Sequence, residues 1–162
     1  MRAIPEGHMT QRRTTAAALA MGVVALVAGT AAAQPSAGGS RDGATTAKTT
    51  IVKVTLGTKA NEYTLAPSVR SIPQGSVTFV VQNRGKLKHE FVVLKTKIAA
   101  GKLPMRSGGQ QAQETGSLGE IGEFSPGLTK RLTLKVGRGH YVLLCNMLLH
   151  YQQGQASDFN VK

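Results

Sequence analysis

The chain has 162 residues, a length that fits one domain with additional segments. Its 20 Lys and Arg residues outnumber 8 Asp and Glu residues, so the net charge of +12 suits an acidic protein partner or an anionic surface. Nucleic acid is disfavoured as a partner, because the basic residues are scattered and no aromatic stacking motif accompanies them. The single cysteine, Cys145, excludes an internal disulfide. A lone cysteine indicates intermolecular pairing, a reactive thiol or metal ligation.

The N-terminal region has the pattern of an export segment. Paired arginines at 12–13 precede an apolar stretch at 16–28, and an Ala-Ala-Ala sequence ends at Ala33. We therefore predict a signal peptide over 1–33 and an exported, periplasmic or extracytoplasmic protein; the alternative is an uncleaved N-terminal membrane anchor. Residues 34–49 are rich in Gly, Ser, Ala and Thr, which predicts a flexible linker.

The rest of the chain, 50–162, has the pattern of one all-β domain. Short apolar runs are separated by clusters of Gly, Pro and Asn, which predicts an antiparallel β-sandwich. The segment 97–122 differs, because it is rich in Gly, Gln and Ala and has few large apolar residues, and we predict a long loop with a helical turn there. The apolar runs are Val52, Val54 and Leu56; Tyr63 and Leu65; Val77, Phe79 and Val81; Phe91 to Leu94; Leu132, Leu134 and Val136; Tyr141 to Cys145; and Phe159 and Val161.

Four candidate metal ligands occur in the order His89 … Cys145-x4-His150-x4-Gln155. An ion that cycles between Cu(I) and Cu(II) requires a site acceptable to both states, and a thiolate, two imidazoles and a weak axial ligand provide one. A strand that ends in a tight loop brings a cysteine, a histidine and an axial residue around one ion. His140 and His8 are excluded as ligands; His140 lies five residues before Cys145, more than ~15 Å along a strand, and points to its opposite face.

The C-terminal run resembles the copper loop of cupredoxins (type 1 blue copper proteins), especially plastocyanin-, rusticyanin- and sulfocyanin-like members, many of which read G-x-Y-x-x-x-C-N-x-x-G-H-Y-x-x-G-M. The resemblance extends over about 50–162 and includes His89. It implies a Greek-key β-sandwich that holds one copper ion, carries electrons, and is a monomer without enzymatic activity. The matching positions are Gly139-His140-Tyr141, Cys145-Asn146, His150-Tyr151 and Gly154-Gln155.

Three positions depart from the family pattern. Gln155 stands where most members have an axial methionine, as in stellacyanin-like cupredoxins, and its amide oxygen should favour Cu(II) and lower the reduction potential. The alternative is that Gln155 faces solvent. Leu149 replaces a glycine that often precedes the second histidine. Glu90 replaces an Asn or Ser, although its backbone N–H could still serve the ligand loops.

The loop also contains a methionine that could be mistaken for the axial ligand. Met147 is only two residues beyond Cys145, where the family does not place that ligand. With Leu148 and Leu149, Met147 is expected to form an apolar collar around His150, the residue through which the resemblance implies that electrons leave.

The sequence therefore predicts one-electron transfer between redox partner proteins, with acidic docking surfaces on the partners. Copper delivery or storage is the main alternative, because the same ligands hold Cu(I). A Cys–His hydrolase with Cys145 as the nucleophile is a third possibility. Zinc binds the same ligand types but has no redox chemistry.

Overall fold

The computed structural model describes residues 48–162, which form a two-sheet β-sandwich. A 3-10 turn at Ala100–Lys102 is the helical element of this range, and no helix among these residues has the length and apolar character needed to cross a membrane. The predicted export segment, 1–33, and the part of the predicted linker up to residue 47 lie outside the described residues. The strands are β1 (Thr50–Leu56), β2 (Leu65–Pro67), β3 (Ser71–Ile72), β4 (Gly75–Asn83), β5 (His89–Lys95), β6 (Ser117–Phe124), β7 (Thr129–Val136), β8 (Gly139–Leu144) and β9 (Ala156–Val161).

The two sheets have the strand orders β2-β1-β4-β7 and β3-β9-β8-β5-β6. The predicted all-β sandwich is confirmed. Its sheets are mixed, however, because β1 pairs with β4 and β3 pairs with β9 in the parallel sense. Between β1 and β4 the chain enters the second sheet at β3 before it returns, so β1 and β4 run in the same direction. The expectation of an entirely antiparallel sandwich is corrected accordingly.

The main core lies between the sheets and follows from period-two alternation. In β1 and β4 every second side chain is buried, as predicted, since successive side chains of a strand point to opposite faces. Burying a large apolar side chain contributes about 1.5–3 kcal/mol, so this face supplies much of the stability. The largest side chains of the core are Phe79, Phe91, Tyr141 and Phe159.

A second cluster lies on the outer face of the five-stranded sheet. There Val92, Leu94, Val142 and Leu144 pack against Ala100, Leu103, Ala112 and Tyr151, which come from the segments that cross this face. This covering explains why residues 91–94 of β5 and 141–144 of β8 are continuously apolar: both faces of each strand are buried over these residues.

The predicted long loop 97–122 is correct in its first part and wrong in its last. The helical turn occurs at Ala100–Lys102, but β6 begins at Ser117 and pairs with β5 as the edge of the second sheet. Only Ile121 and Phe124 of β6 are buried, so its sequence has no period-two pattern to detect.

Candidate metal centre

The side chains of the candidate centre meet where β5 begins and β8 ends. His89 is the first residue of β5, and Cys145 directly follows β8. Antiparallel pairing sets Val92 opposite Leu144, so Cys145 stands beside the start of β5. The loop 145–155 closes on itself, because the backbone N–H of Cys145 donates to the carbonyl of Gln155 at 3.0 Å.

Three donor atoms face one another in this position. The Nδ1 atoms of His89 and His150 are 3.2 Å apart, and Sγ of Cys145 lies 3.7 Å and 3.4 Å from them, respectively. His89 and Cys145 are fully buried, and His150 is 7% exposed. One thiol and two imidazoles that converge in a buried position are a donor set that fits copper in either oxidation state.

Gln155 directs its oxygen into the same cluster. The side chain is fully buried, and Oε1 lies 3.1 Å from Nδ1 of His150. Its Nε2 donates to the carbonyls of Glu62 and Thr64 at 3.3 Å and 3.0 Å, and these acceptors fix the orientation of the amide. The solvent-facing alternative for Gln155 is therefore wrong for this structure, and Oε1 is available to an ion.

Protonation of the centre follows from its burial. Burial raises the pKa of the Cys145 thiol to about 11, although the backbone N–H of Glu90, 3.4 Å from Sγ, opposes the rise. Burial also lowers the pKa of both His89 and His150. At neutral pH the metal-free centre therefore holds a protonated thiol and two neutral imidazoles, and an ion that binds a thiolate must displace one proton.

Glu62 completes the centre and is absent from the sequence-based ligand set. Its Oε1 lies 3.0 Å from Nε2 of His89. Because an ionised carboxylate only accepts hydrogen bonds, this contact puts the proton of neutral His89 on Nε2 and leaves a lone pair on Nδ1. Burial raises the pKa of Glu62, but hydrogen bonds from Leu87, Lys86 and His89 outweigh it, and the net shift is downward.

Two glycines make room for this carboxylate–imidazole pair. Gly57 has φ 61°, and a Cβ there would lie 2.7 Å from Cα of Gly85 and 2.9 Å from Nε2 of His89. A Cβ on Gly85 would collide with Oε1 of Glu62. Gly85, which follows the end of β4, thus has a steric role in the centre that its sequence context alone does not reveal.

The ligand loop is fastened to the segment that covers the second sheet. The buried Asn146 side chain accepts from the N–H of Ala112 at 2.7 Å and donates to the Ala112 carbonyl at 2.9 Å and to Glu114 at 2.6 Å. Leu149 has φ 67°, a left-handed conformation that favours glycine. Leu149, which replaces the glycine of the cupredoxin pattern, therefore keeps the backbone in the left-handed conformation that glycine favours.

The remaining sequence candidates lie outside the donor cluster. His140 faces the carbonyl of Thr96 and Oδ1 of Asp158, at 2.7 Å and 2.9 Å. Leu148 and Leu149 are exposed beside His150 in the loop, as the collar hypothesis expects, and Met147 is half-buried.

Comparison with known proteins identifies the fold. No protein-family model matches the chain, and no curated protein matches its sequence. Rusticyanin from Thiobacillus ferrooxidans matches with a TM-score of 0.56 and 17% identity over 71% of this chain and 78% of that chain. Reduced rusticyanin matches with a TM-score of 0.55 and 19% identity over 71% and 80%, respectively. The described domain has the cupredoxin fold.

A further match carries a glutamine in place of a methionine. A rusticyanin mutant in which a methionine is replaced by glutamine matches with a TM-score of 0.55 and 21% identity, over 71% of this chain and 78% of that chain. Another rusticyanin structure is described as that of a copper protein. At these identities the cupredoxin likeness extends to the fold, and the chemistry of this chain rests on its own donor atoms.

Proposed function

We propose that this chain is an exported type 1 copper protein that carries single electrons between redox partner proteins. His89, Cys145 and His150 would hold one copper ion, with Gln155 as the axial ligand. The observation that supports this most directly is the convergence of two Nδ1 atoms, one Sγ and one Oε1 in a buried site on a cupredoxin fold. The export pattern of residues 1–33 supports an extracytoplasmic location.

Bound copper would supply a one-electron couple, and the protein would supply a fixed set of ligands. His89 is held by Glu62, Gln155 by two backbone carbonyls, and the cysteine loop by Asn146. Since each ligand is restrained by partners other than the ion, both oxidation states would share nearly one geometry, and little reorganisation would accompany electron transfer. Burial of the donors keeps solvent from the thiolate.

The surface beside His150 suits a transient partner. Leu87, Leu148 and Leu149 are exposed large apolar side chains at this end of the sandwich. Lys86 and Lys88 are exposed on either side of Leu87. An apolar contact with lysines at its rim favours a redox partner with an acidic docking surface, whose approach the charges would accelerate.

The rival functions are less consistent with the site. A Cys–His hydrolase needs a thiolate that substrate can reach, whereas Cys145 is fully buried and its pKa is raised by burial. Copper delivery needs ready exchange of the ion, whereas all four donor side chains are buried.

Reconstitution of the protein with one equivalent of Cu(II) tests the proposal. We expect intense visible absorption from a copper–thiolate bond and a narrow copper hyperfine splitting in the EPR spectrum. The matched control is Cys145→Ser, which keeps the size of the side chain and should lose the intense band. A pale protein with ordinary tetragonal Cu(II) signals would exclude the type 1 assignment and bring copper handling forward.

Reversible electrochemistry then separates electron transfer from copper handling. A carrier should cycle between oxidation states without losing its ion to a chelator, and its electron exchange with an acidic partner should slow as ionic strength rises. Rapid loss of copper in either state would favour delivery or storage.

A further inference from the structure

The strand register defines an end of the sandwich opposite the metal centre. In the first sheet, β1 and β4 start beside the end of β7, as the pairs Thr50–Val77 and Gly75–Val136 show. In the second sheet, β8 starts beside the end of β9, as the pair Gly139–Val161 shows. The short connections β3–β4 and β7–β8 join the two sheets at this same end. We call it the distal end.

The distal end is strongly basic. Seven Lys or Arg residues lie at the strand ends and turns that form it, and none of them is in an ion pair in the described part of the chain. Two surface grooves that share Gly139 bring five of them around the start of β8. The seven are Lys48, Arg70, Lys95, Lys97, Lys135, Arg138 and Lys162.

Most acidic residues of the described chain lie away from the distal end. Glu62, Glu90 and Glu123 are at the metal end, and Glu114 pairs with Arg106. The other two lie in the middle of strands: Glu120 opposite Val92, and Asp158 opposite Val142 and bonded to His140. The metal end therefore carries both signs of charge, whereas the distal end is basic apart from Asp158, whose carboxylate is bonded to His140 near the start of β8.

Exposed apolar side chains accompany these charges. The eight exposed large hydrophobic residues of the described chain divide equally between the two ends of the sandwich. Those of the distal end are Ile51, Val69, Ile98 and Leu118, and Val69 and Ile98 directly adjoin Arg70 and Lys97 in sequence. Basic side chains beside isolated apolar ones are the combination that binds anionic lipid headgroups, because the apolar groups can enter the interface.

The position of Lys48 at the distal end favours a membrane as the binding partner of this end. Residues 1–47 join the described domain at Lys48, two residues before β1, and hence at the distal end. Their sequence contains the apolar stretch 16–28, for which an uncleaved anchor is one interpretation. Tethered or free, the domain would meet an anionic surface with the end at which seven basic residues outnumber the single acidic side chain, that of Asp158.

We propose that the distal end docks on an anionic lipid surface and so directs the metal end away from the membrane, toward soluble partners. Lys and Arg residues near such a surface each strengthen binding about fivefold, and the interaction falls off within a Debye length of ~8 Å at physiological salt. A strand of seven residues such as β1 spans roughly 23 Å, so charges at the metal end would contribute little in this orientation. The proposal does not depend on copper, and its failure would leave the proposed electron transfer untouched.

Vesicle binding by the full chain at 0.15 M salt is the first test. We expect tighter binding to vesicles of equal parts phosphatidylglycerol and phosphatidylcholine than to pure phosphatidylcholine. The distal variant carries Arg70→Gln, Lys97→Gln, Arg138→Gln and Lys162→Gln, all at exposed positions, and should reduce this preference by more than ~100-fold.

The matched control removes the same charge from the rest of the surface, with Lys53→Gln, Lys59→Gln, Arg84→Gln and Arg131→Gln. It should reduce the preference by less than ~10-fold. Equal losses in the two variants would overturn the proposal in favour of general attraction by net charge. Tighter binding of soluble polyglutamate than of anionic vesicles would overturn it in favour of an acidic protein partner.

Orientation is tested separately, without removing any charge. The chain has no tryptophan, so a single introduced one is a clean reporter. In the copper-free protein on anionic vesicles, fluorescence of Val69→Trp should be quenched by brominated lipid, whereas that of Leu128→Trp, exposed at the metal end, should not. The reverse pattern, or equal quenching, would overturn the proposed orientation.

Discussion

Replacing Glu62 with glutamine removes the charge of this carboxylate while keeping its size. Oε1 lies 3.0 Å from Nε2 of His89, and the imidazole ring spans a further ~2 Å to Nδ1. An ion held ~2 Å from Nδ1 would therefore lie roughly 6 Å from Oε1, because these three steps are not collinear. Two unit charges roughly 6 Å apart interact by about 3 kcal/mol at an effective dielectric constant of ~20. Glu62 is 17% exposed, so about half of this, or ~1.5 kcal/mol, is a reasonable expectation after screening.

A negative charge beside His89, a proposed ligand, would stabilise Cu(II) more than Cu(I). Glu62→Gln should therefore raise the reduction potential, by roughly 60 mV for ~1.5 kcal/mol in a one-electron couple. Protein-film voltammetry measures the shift, and competition with a chelator should show a Cu(II) affinity that is about 10-fold lower. Gly85→Ala is an independent perturbation, because its Cβ would displace Oε1 of Glu62. If both variants keep the original potential, Glu62 has no electrostatic role in the centre.

Three further predictions concern the ligand loop. Gln155→Met should raise the reduction potential, because a thioether is a weaker donor to Cu(II). It should also lower the free energy of unfolding in urea by about 1–3 kcal/mol, because two partly buried carbonyls lose their donor. Leu149→Gly should be more stable than Leu149→Ala by about 1 kcal/mol in thermal unfolding, because φ 67° strains any residue with a Cβ. Copper affinity should rise about tenfold per pH unit from pH 7 toward the Cys145 pKa of about 11, with one proton released per ion in calorimetry.

Each of these three predictions would be contradicted by a specific result. A potential unchanged in Gln155→Met would show that Oε1 does not contact the ion. A Leu149→Ala variant as stable as Leu149→Gly would mean that the loop relaxes out of the left-handed conformation. A copper affinity that is flat above pH 7 would mean that the thiol is already ionised before the ion binds. The fall in affinity should steepen only once the pH is well below 6.5, because burial has lowered the pKa of both imidazoles and protons compete for them only below those lowered values.

Much of the fold could be predicted because burial imposes a period on the sequence. The alternating runs of β1 and β4 and the continuous runs of β5 and β8 correspond to strands buried on one face and on both faces, respectively. Strand β6 could not be predicted, because an edge strand is held by backbone hydrogen bonds that leave no side-chain pattern, and Gly119 and Gly122 interrupt it. Strand β3 has two residues, too few for any period.

The donor residues were recognisable because their chemistry and spacing are local: three of the four lie within eleven consecutive residues. The role of Glu62 could not be recognised from the sequence, because its partner His89 is 27 residues away. Nothing in the sequence around Glu62 distinguishes it from other surface carboxylates. Its role depends on the approach of two chain segments at Gly57 and Gly85, which is a property of the folded sandwich.

The 61–64 segment links the centre to the first sheet through three contacts of different kinds. The Glu62 side chain holds His89, the carbonyls of Glu62 and Thr64 hold Gln155, and the ring of Tyr63 packs edge-on against His150 at 5.4 Å between centroids. A single turn between β1 and β2 thus restrains both histidines and Gln155. Cys145 is restrained separately, by the backbone N–H of Glu90 and by the contacts of Asn146. Because neither set of restraints requires an ion, the donor atoms are held together before metal binds, and the ordering cost of forming the site is met during folding.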